Sequence, residues 1–160
     1  MKRQIKIFVS YSHKNQTTAN NFIEKFSEYI KPSKIYDYVV WRDIDINVGD
    51  LWEVKILTNL KECDCGLLLI SPSFLNSTFI KEKELPALLG GGKIVIPVAL
   101  SKINFERHDL HGLEHTQIFR LSDASFKMPR SFAELKEKRQ EDFIDELFCQ
   151  MENRLQEYFK

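Results

Sequence analysis

The segment CGLLLIS, at residues 65–71, is apolar up to its last residue and is followed at once by Pro72. A strand with one exposed face alternates apolar and polar residues, whereas a strand that is covered on both faces keeps an unbroken apolar run. The segment therefore predicts a central strand of a parallel sheet that carries helices on both faces.

Other apolar runs flank this segment and alternate with amphipathic stretches, which is typical of a parallel α/β sheet. The further predicted strands cover residues 5–10, 38–41, 93–100 and 117–121. Apolar residues at three- and four-residue spacing predict helices over residues 22–30, 51–60, 72–89 and 131–160. The last of these opens with the capping-box pair Ser131 and Glu134. Five strands, each followed by a helix or a long loop, predict a doubly wound sheet with right-handed crossovers.

Length and charge limit the possible functions. The 160 residues fit one domain, and no linker or repeat divides them. Lysine and arginine together number 23, as do aspartate and glutamate, so the net charge indicates neither a nucleic-acid partner nor an anionic membrane surface. The chain shows neither a signal-peptide pattern nor a membrane-spanning apolar run, and its three cysteines form no CxxC motif. We therefore predict a soluble cytoplasmic domain without nucleic-acid or membrane partners.

In doubly wound sheets, ligands bind beyond the carboxyl ends of the strands, at the point where the strand order reverses. Three segments follow predicted strands at that edge: residues 11–15, 42–50 and 72–84. No glycine-rich turn follows the first strand, which excludes the dinucleotide fingerprint and the phosphate-binding P-loop. A phosphorelay receiver would need acidic residues in the same place, where the sequence reads Ser-Tyr-Ser.

Metal and thiol chemistry find little support in the sequence. The loop HDLHGLEH, at residues 108–115, contains three histidines, but Gly112 interrupts their helical spacing, so a solvated polar loop is preferred and no metal is expected. No G-x-S-x-G motif is present, and Cys63 and Cys65 are interpreted as small apolar residues beside a buried strand. The remaining candidates for chemistry are carboxylates: Asp43, Glu82 and Glu84.

Five segments, in their order and spacing, resemble a bacterial Toll/interleukin-1 receptor (TIR) domain. They are KIFVSYSHKN at residues 6–15, WRD at 41–43, Gly49 with Trp52, LLLISPSFLNSTF at 67–79 and KEKELPALL at 81–89. The resemblance covers residues 5–100, and the final helix fits less diagnostically. It implies a flavodoxin-like fold with a five-stranded parallel sheet and helices on both faces, as a single TIR domain over residues 1–160 or as an excerpt of a longer protein.

The resemblance implies one of two activities. Some TIR domains are non-catalytic modules that signal through TIR–TIR contacts, whereas others are NAD+ nucleosidases that release nicotinamide and either ADP-ribose or a cyclised product, in bacteria often for antiviral defence. The expectation is an enzyme with NAD+ as substrate, no cofactor, self-association through TIR–TIR contacts, and a sensor that is fused or separate. The alternatives are a non-catalytic TIR module and a nucleoside ribosyltransferase.

The resemblance also implies which glutamate is catalytic. Enzymatic members carry it in the helix after the third strand, where an aromatic residue, four further residues and Glu-Leu correspond to Phe79 and Glu84. Two positions along a helix differ by about 200°, so Glu82 and Glu84 cannot face the same cleft. Glu84 is therefore expected to be catalytic and Glu82 to be a solvated charge. A helix break is expected near Glu84, because Pro86 follows it.

The resemblance further implies a substrate-binding set. Its expected members are Tyr11, Ser12, Asp43, Gly49, Trp52 and Phe79. For Asp43, a role in orienting its own loop is an equal alternative. Gly49 is expected to let that loop bend, and the aromatic residues to form pocket walls. The side chains that would hold the pyrophosphate are left open among Lys14, Arg42 and Lys83.

Overall fold

The computed structural model describes residues 1–42 and 51–160. Its four parallel strands form one sheet in the spatial order β2-β1-β3-β4. The strands are β1 (Arg3–Ser10), β2 (Tyr36–Trp41), β3 (Cys65–Ile70) and β4 (Ile94–Ala99). The first four predicted strands are thus confirmed, with ends that differ by no more than two residues.

Helices cover both faces of this sheet. They are α1 (Gln16–Ile30), α2 (Trp52–Glu62), α3 (Pro72–Leu75), α4 (Leu85–Gly90) and α5 (Glu137–Tyr158), and one turn of π-helix, Ile80–Glu84, leads into α4. None of the helices among the described residues has the length and apolar character needed to cross a bilayer.

Strand β3 is central, as its apolar run predicts, and all six of its residues are buried. Leu67 pairs with Val9 of β1 and with Ile96 of β4. Because successive side chains point to opposite faces, Leu67 belongs to the core shared with α1 and α5, whereas Leu68 belongs to the core shared with α2 and α4. The two separate cores make the sheet doubly wound.

The predicted fifth strand, residues 117–121, is reduced to a single parallel bridge between Val98 and Phe119. The segment lies beside β4, as predicted, but cannot extend along it. On one side, the Arg154 guanidinium donates to the Val95 carbonyl on the same edge of β4. On the other side, Leu121 turns away and forms two backbone hydrogen bonds with Arg130, of 2.9 and 2.8 Å.

The last helix begins later than its capping box predicts. Ser131 and Glu134 do form the box, but it caps a single 3-10 turn, Phe132–Glu134. Leu135 is extended because its side chain enters the core, and the Gln140 side chain donates to the Leu135 carbonyl at 3.1 Å. The carbonyl is therefore satisfied without a helical turn, and α5 begins at Glu137.

A close contact between β3 and α4 leads to a first prediction. A Cβ added at Gly66 would lie 2.8 Å from Leu88 Cδ2 and 3.0 Å from Cδ1, and Leu88 is fully buried. Gly66→Ala is expected to lower the free energy of unfolding by about 1 to 3 kcal/mol, because an overpacked core cannot relax without strain. Denaturant unfolding measures this loss.

The matched control is Gly90→Ala at the end of α4, where an added Cβ meets nothing within 4 Å. It is expected to leave the unfolding free energy unchanged or slightly higher, because alanine is the better helix former. Equal unfolding midpoints for Gly66→Ala and the unmodified chain would contradict the packing argument.

Candidate functional site

A cleft opens at the carboxyl edge of the sheet, between the segments that follow β1 and β3. After β1 the chain enters α1 on one face, and after β3 it enters α3 on the other, so the two connections diverge. The cleft has a volume of about 540 Å³, within the range of small-molecule sites. Its lining residues come from the loop after β1, from α2 and from the segment 73–84.

Five of the seven predicted site residues line this one cleft: Tyr11, Ser12, Trp52, Phe79 and Glu84. The other two, Asp43 and Gly49, lie outside the described residues. Of the side chains left open for the pyrophosphate, Lys14 lines the cleft, Arg42 donates to Asn20 Oδ1 at 2.8 Å, and Lys83 is exposed on the helix surface.

Glu84 is the last residue of the π turn and is 7% exposed, whereas Glu82 on the same turn is exposed. The Leu85 N–H donates to the Ile80 carbonyl, five residues earlier. Pro86 explains the wide turn, because it has no N–H for the Glu82 carbonyl and its ring would clash with that carbonyl in an α-helix. Isolated π turns often mark functional positions, and carboxylates are seldom buried to this degree.

Two aromatic rings form one wall of the cleft beside Glu84. The ring centroids of Trp52 and Phe79 lie 5.4 Å apart with planes tilted by 53°. Trp52 remains 57% exposed although it contacts Phe79. A large ring that is half covered at the rim of a cleft offers an open face to a flat ligand.

Hydrogen bonds join the two loops that border the cleft. Ser71 Oγ donates to Asn15 Oδ1 at 2.5 Å and accepts the Phe74 N–H at 3.0 Å, so it caps α3 and contacts the loop after β1. Ser12 Oγ accepts the Lys14 N–H at 3.3 Å, which begins a 3-10 turn. Side-chain hydrogen bonds to the backbone, and one between the two loops, therefore position the edges of the cleft.

Sequence reasoning did not single out several polar lining residues. Ser73, Asn76 and Ser77 face the cleft from α3 and the residues after it. They fall inside the segment 72–84 that the strand order marks as ligand-binding. The available signal was the Ser71-Pro72 pair, which is typical of a helix start directly after a strand.

The cysteines and histidines take no part in this cleft apart from His13. Burial raises the pKa of the Cys65 thiol to about 12 and also raises the pKa of Cys63. A reactive cysteine needs a lowered pKa and exposure. Among residues 1–42 and 51–160, no cluster of three His, Cys, Asp or Glu side chains could hold a metal ion. The His111 ring instead lies 2.8 Å from the Leu75 carbonyl.

Thiol labelling provides a second prediction. Native protein is expected to show one reactive thiol towards an aromatic disulfide reagent, Cys149, because it is exposed and the other two are buried. Partial burial, with Asp145 and Glu146 nearby, raises the pKa of Cys149 from 9.0, so its labelling rate should still increase above pH 9. Cys149→Ser is expected to abolish labelling until the chain unfolds, and fast labelling of a second thiol would contradict the burial.

Comparison with known proteins adds one match. The family model described as TIR domain matches residues 7–136, which include the second half of β1, the whole of β2, β3 and β4, and every described residue of the cleft. A search of curated proteins finds no match.

Proposed function

The chain belongs to the TIR domain family, and we propose that it is a NAD+ nucleosidase that cleaves the bond between nicotinamide and ribose. TIR domains include NAD+-cleaving enzymes as well as signalling modules, so the family alone does not choose between them. The observation that carries the proposal is the burial of Glu84 in a cleft of about 540 Å³ at the carboxyl edge of the sheet. A role in bacterial antiviral defence or signalling belongs to the same proposal.

One carboxylate is sufficient for this chemistry. Most glycosidases need a second carboxyl group to protonate the leaving oxygen. Nicotinamide departs from NAD+ with the electron pair of the broken C1′–N bond and is then neutral, so no general acid is required. Positive charge develops on the ribose, and water adds to C1′ and loses a proton to complete the hydrolysis.

Glu84 suits the stabilising role in this reaction. A fixed negative charge beside the ribose attracts the oxocarbenium-like transition state more strongly than the ground state, where the charge lies on the nicotinamide ring. Burial strengthens that attraction because little water screens it. The Glu84 carboxylate oxygens are also acceptors for the ribose hydroxyls.

The other lining residues match the remaining parts of the substrate. Trp52 and Phe79 offer ring faces to nicotinamide or adenine, and such stacking contributes about 0.5–1.5 kcal/mol beyond area burial. Tyr11 and Ser12 lie at the end of β1 and border the same cleft. Lys14 is the lining cation that would meet the pyrophosphate.

Nicotinamide release from NAD+ tests the proposal. Glu84→Gln keeps the shape of the side chain but removes its charge, and is expected to lower the release rate by about 10²–10³-fold, the loss typical of one electrostatic contact in a transition state. Chromatography of concentrated protein incubated with NAD+ measures the rate.

Glu82→Gln is the matched control, because Glu82 lies on the same π turn and is exposed. It makes the same change of charge two residues away and should retain the full rate. Equal rates for both variants and the unmodified chain would refute the role of Glu84. Thermal unfolding of the two variants shows whether a lost rate reflects lost structure.

A specific surface favours self-association as a second candidate function. Leu51 is 74% exposed, Val54 is 57% exposed, and Leu57 is also exposed, so apolar side chains are presented at the start of α2 beside Trp52. TIR domains act through TIR–TIR contacts, and exposed apolar patches commonly mark protein interfaces. The patch adjoins the cleft through Trp52, so a docked copy would border the site.

The substitution Val54→Glu provides a fourth prediction. It is expected to raise the concentration at which the protein self-associates by about tenfold or more, since a buried unpaired charge opposes docking. Light scattering over a concentration series measures this. Leu89→Glu is the control, because exposed Leu89 lies near the end of α4, which leads to the amino edge of the sheet, whereas the patch lies at the start of α2 near the opposite edge. This variant should leave association unchanged. Identical association of both variants would exclude the α2 surface.

A further inference from the structure

We propose that a second pocket, at the carboxyl end of β4, binds a small phosphate anion, either free or as the terminal group of a larger molecule. The pocket has a volume of about 190 Å³ and borders Ala99, the last residue of β4. It shares no lining residue with the cleft that holds Glu84. The proposal therefore does not depend on NAD+ cleavage.

Positive side chains surround this pocket, although the whole chain has no net charge. Its charged lining residues are Lys102, Arg120, Lys127, Arg130 and Glu134. Four cations and one carboxylate give the pocket a formal charge of +3. Concentrating positive charge around a concave surface raises the local concentration of anions.

These cations are not used in ion pairs within the part of the chain that the structure describes. None of the four has a carboxylate oxygen within 4.0 Å there, whereas Arg139 close by pairs with both Asp123 and Asp142. The four charges are therefore available to a ligand. Arginine and lysine are the side chains that most often bind phosphate.

Aromatic rings orient the two guanidinium groups. The Arg120 guanidinium carbon lies 4.1 Å from the ring centre of Phe105, and that of Arg130 lies 4.6 Å from the ring centre of Phe126. Stacking occupies the flat face of a guanidinium, so its N–H groups still point outward in the plane. A phosphate then meets donors whose positions are already restricted, which lowers the entropy cost of binding.

The single carboxylate of the pocket is already engaged. Glu134 Oε1 accepts the Ser131 N–H at 3.0 Å and the Ser131 hydroxyl at 2.8 Å. Partial burial disfavours its charged form, but these hydrogen bonds, with the charges of Lys102 and Arg130, outweigh burial and lower the pKa of Glu134. Glu134 thus stays ionised near neutral pH and offsets only one of the four positive charges.

Pocket size and shape favour a small anion. A volume of about 190 Å³ is below the range of about 300–1,000 Å³ for drug-sized ligands, so the pocket admits one or two phosphoryl groups but no complete nucleotide. Nucleic-acid surfaces carry their cations in an extended patch or stripe. Here the four cations border one pocket.

Calorimetric titration of the full chain with inorganic pyrophosphate tests the proposal. Saturable binding of one anion per chain is expected at low ionic strength. The double variant Lys102→Gln/Arg120→Gln should weaken binding by about tenfold or more for each charge removed. Pyrophosphate should also raise the melting temperature of the unmodified chain but not that of the variant.

The matched control is Lys31→Gln/Lys34→Gln, which removes the same charge from two exposed side chains. These lysines follow α1 and precede β2, so they lie at the opposite, amino edge of the sheet. The control should bind pyrophosphate like the unmodified chain. Equal weakening in both doubles, or no saturable binding at all, would overturn the proposal.

Two further ligands identify the source of the phosphate. Similar affinities for ADP and pyrophosphate would indicate that the pocket recognises the phosphate group alone. Tighter binding of ADP that still requires Lys102 and Arg120 would indicate that the pocket recognises a phosphate group attached to a larger molecule. Tighter binding of a short oligonucleotide than of either would overturn the proposal in favour of a nucleic-acid surface. Titration in the Lys14→Gln variant separates this pocket from the cleft that holds Glu84: unchanged pyrophosphate binding would support the proposal, and loss of binding would overturn it.

Discussion

The hydrogen bond between Ser71 and Asn15 joins two connections that the sheet directs to opposite faces. Because α1 and α3 leave neighbouring strands in opposite directions, a gap opens between them at the carboxyl edge. Ser71 closes the base of that gap and also caps α3. The cleft is therefore a consequence of strand order, and one buried side chain sets the spacing of its two edges.

The segment beyond α3 places a candidate catalytic group in this gap. Pro86 prevents a regular α turn, and the resulting π turn places a carboxylate among apolar and aromatic side chains. Burying a carboxyl group costs free energy unless hydrogen bonds or an opposite charge compensate for it. A protein gains from such a position when the reaction itself develops the opposite charge, as the loss of nicotinamide from NAD+ does.

The chain has no net charge, but its charged side chains are unevenly distributed. The pocket at the end of β4 collects cations from three stretches of the loop after that strand, and its stacked arginines contact aromatic rings instead of carboxylates. The cleft, by contrast, is lined by the buried carboxyl group of Glu84 and by the side chain of Lys14. The two concave surfaces at the same edge of the sheet thus differ in the charged groups that line them, which is consistent with separate ligands.

Local patterns in the sequence were enough to predict the four strands of the sheet and the edge of the sheet at which the cleft lies. The apolar run at residues 65–71 predicted a doubly covered strand because full burial leaves no polar alternative, and the carboxyl-edge rule led to the segment 72–84. Residue spacing alone separated Glu82 from Glu84, since two residues on a helix point in nearly opposite directions. The identity of Glu84 as the candidate came from family resemblance.

Tertiary contacts determined the features of the fold that local sequence patterns did not predict. The fifth strand stops after one bridge because Arg154, which is 59 residues away from Val95 in the chain, occupies the edge of β4. Helix α5 starts late because the core takes up Leu135. The contact of Trp52 with Phe79 and the basic pocket likewise join residues that are distant in sequence. Sequence periodicity reports only the environment of residues that are close together in the chain. Contacts between residues that are distant in sequence are therefore determined by the tertiary structure.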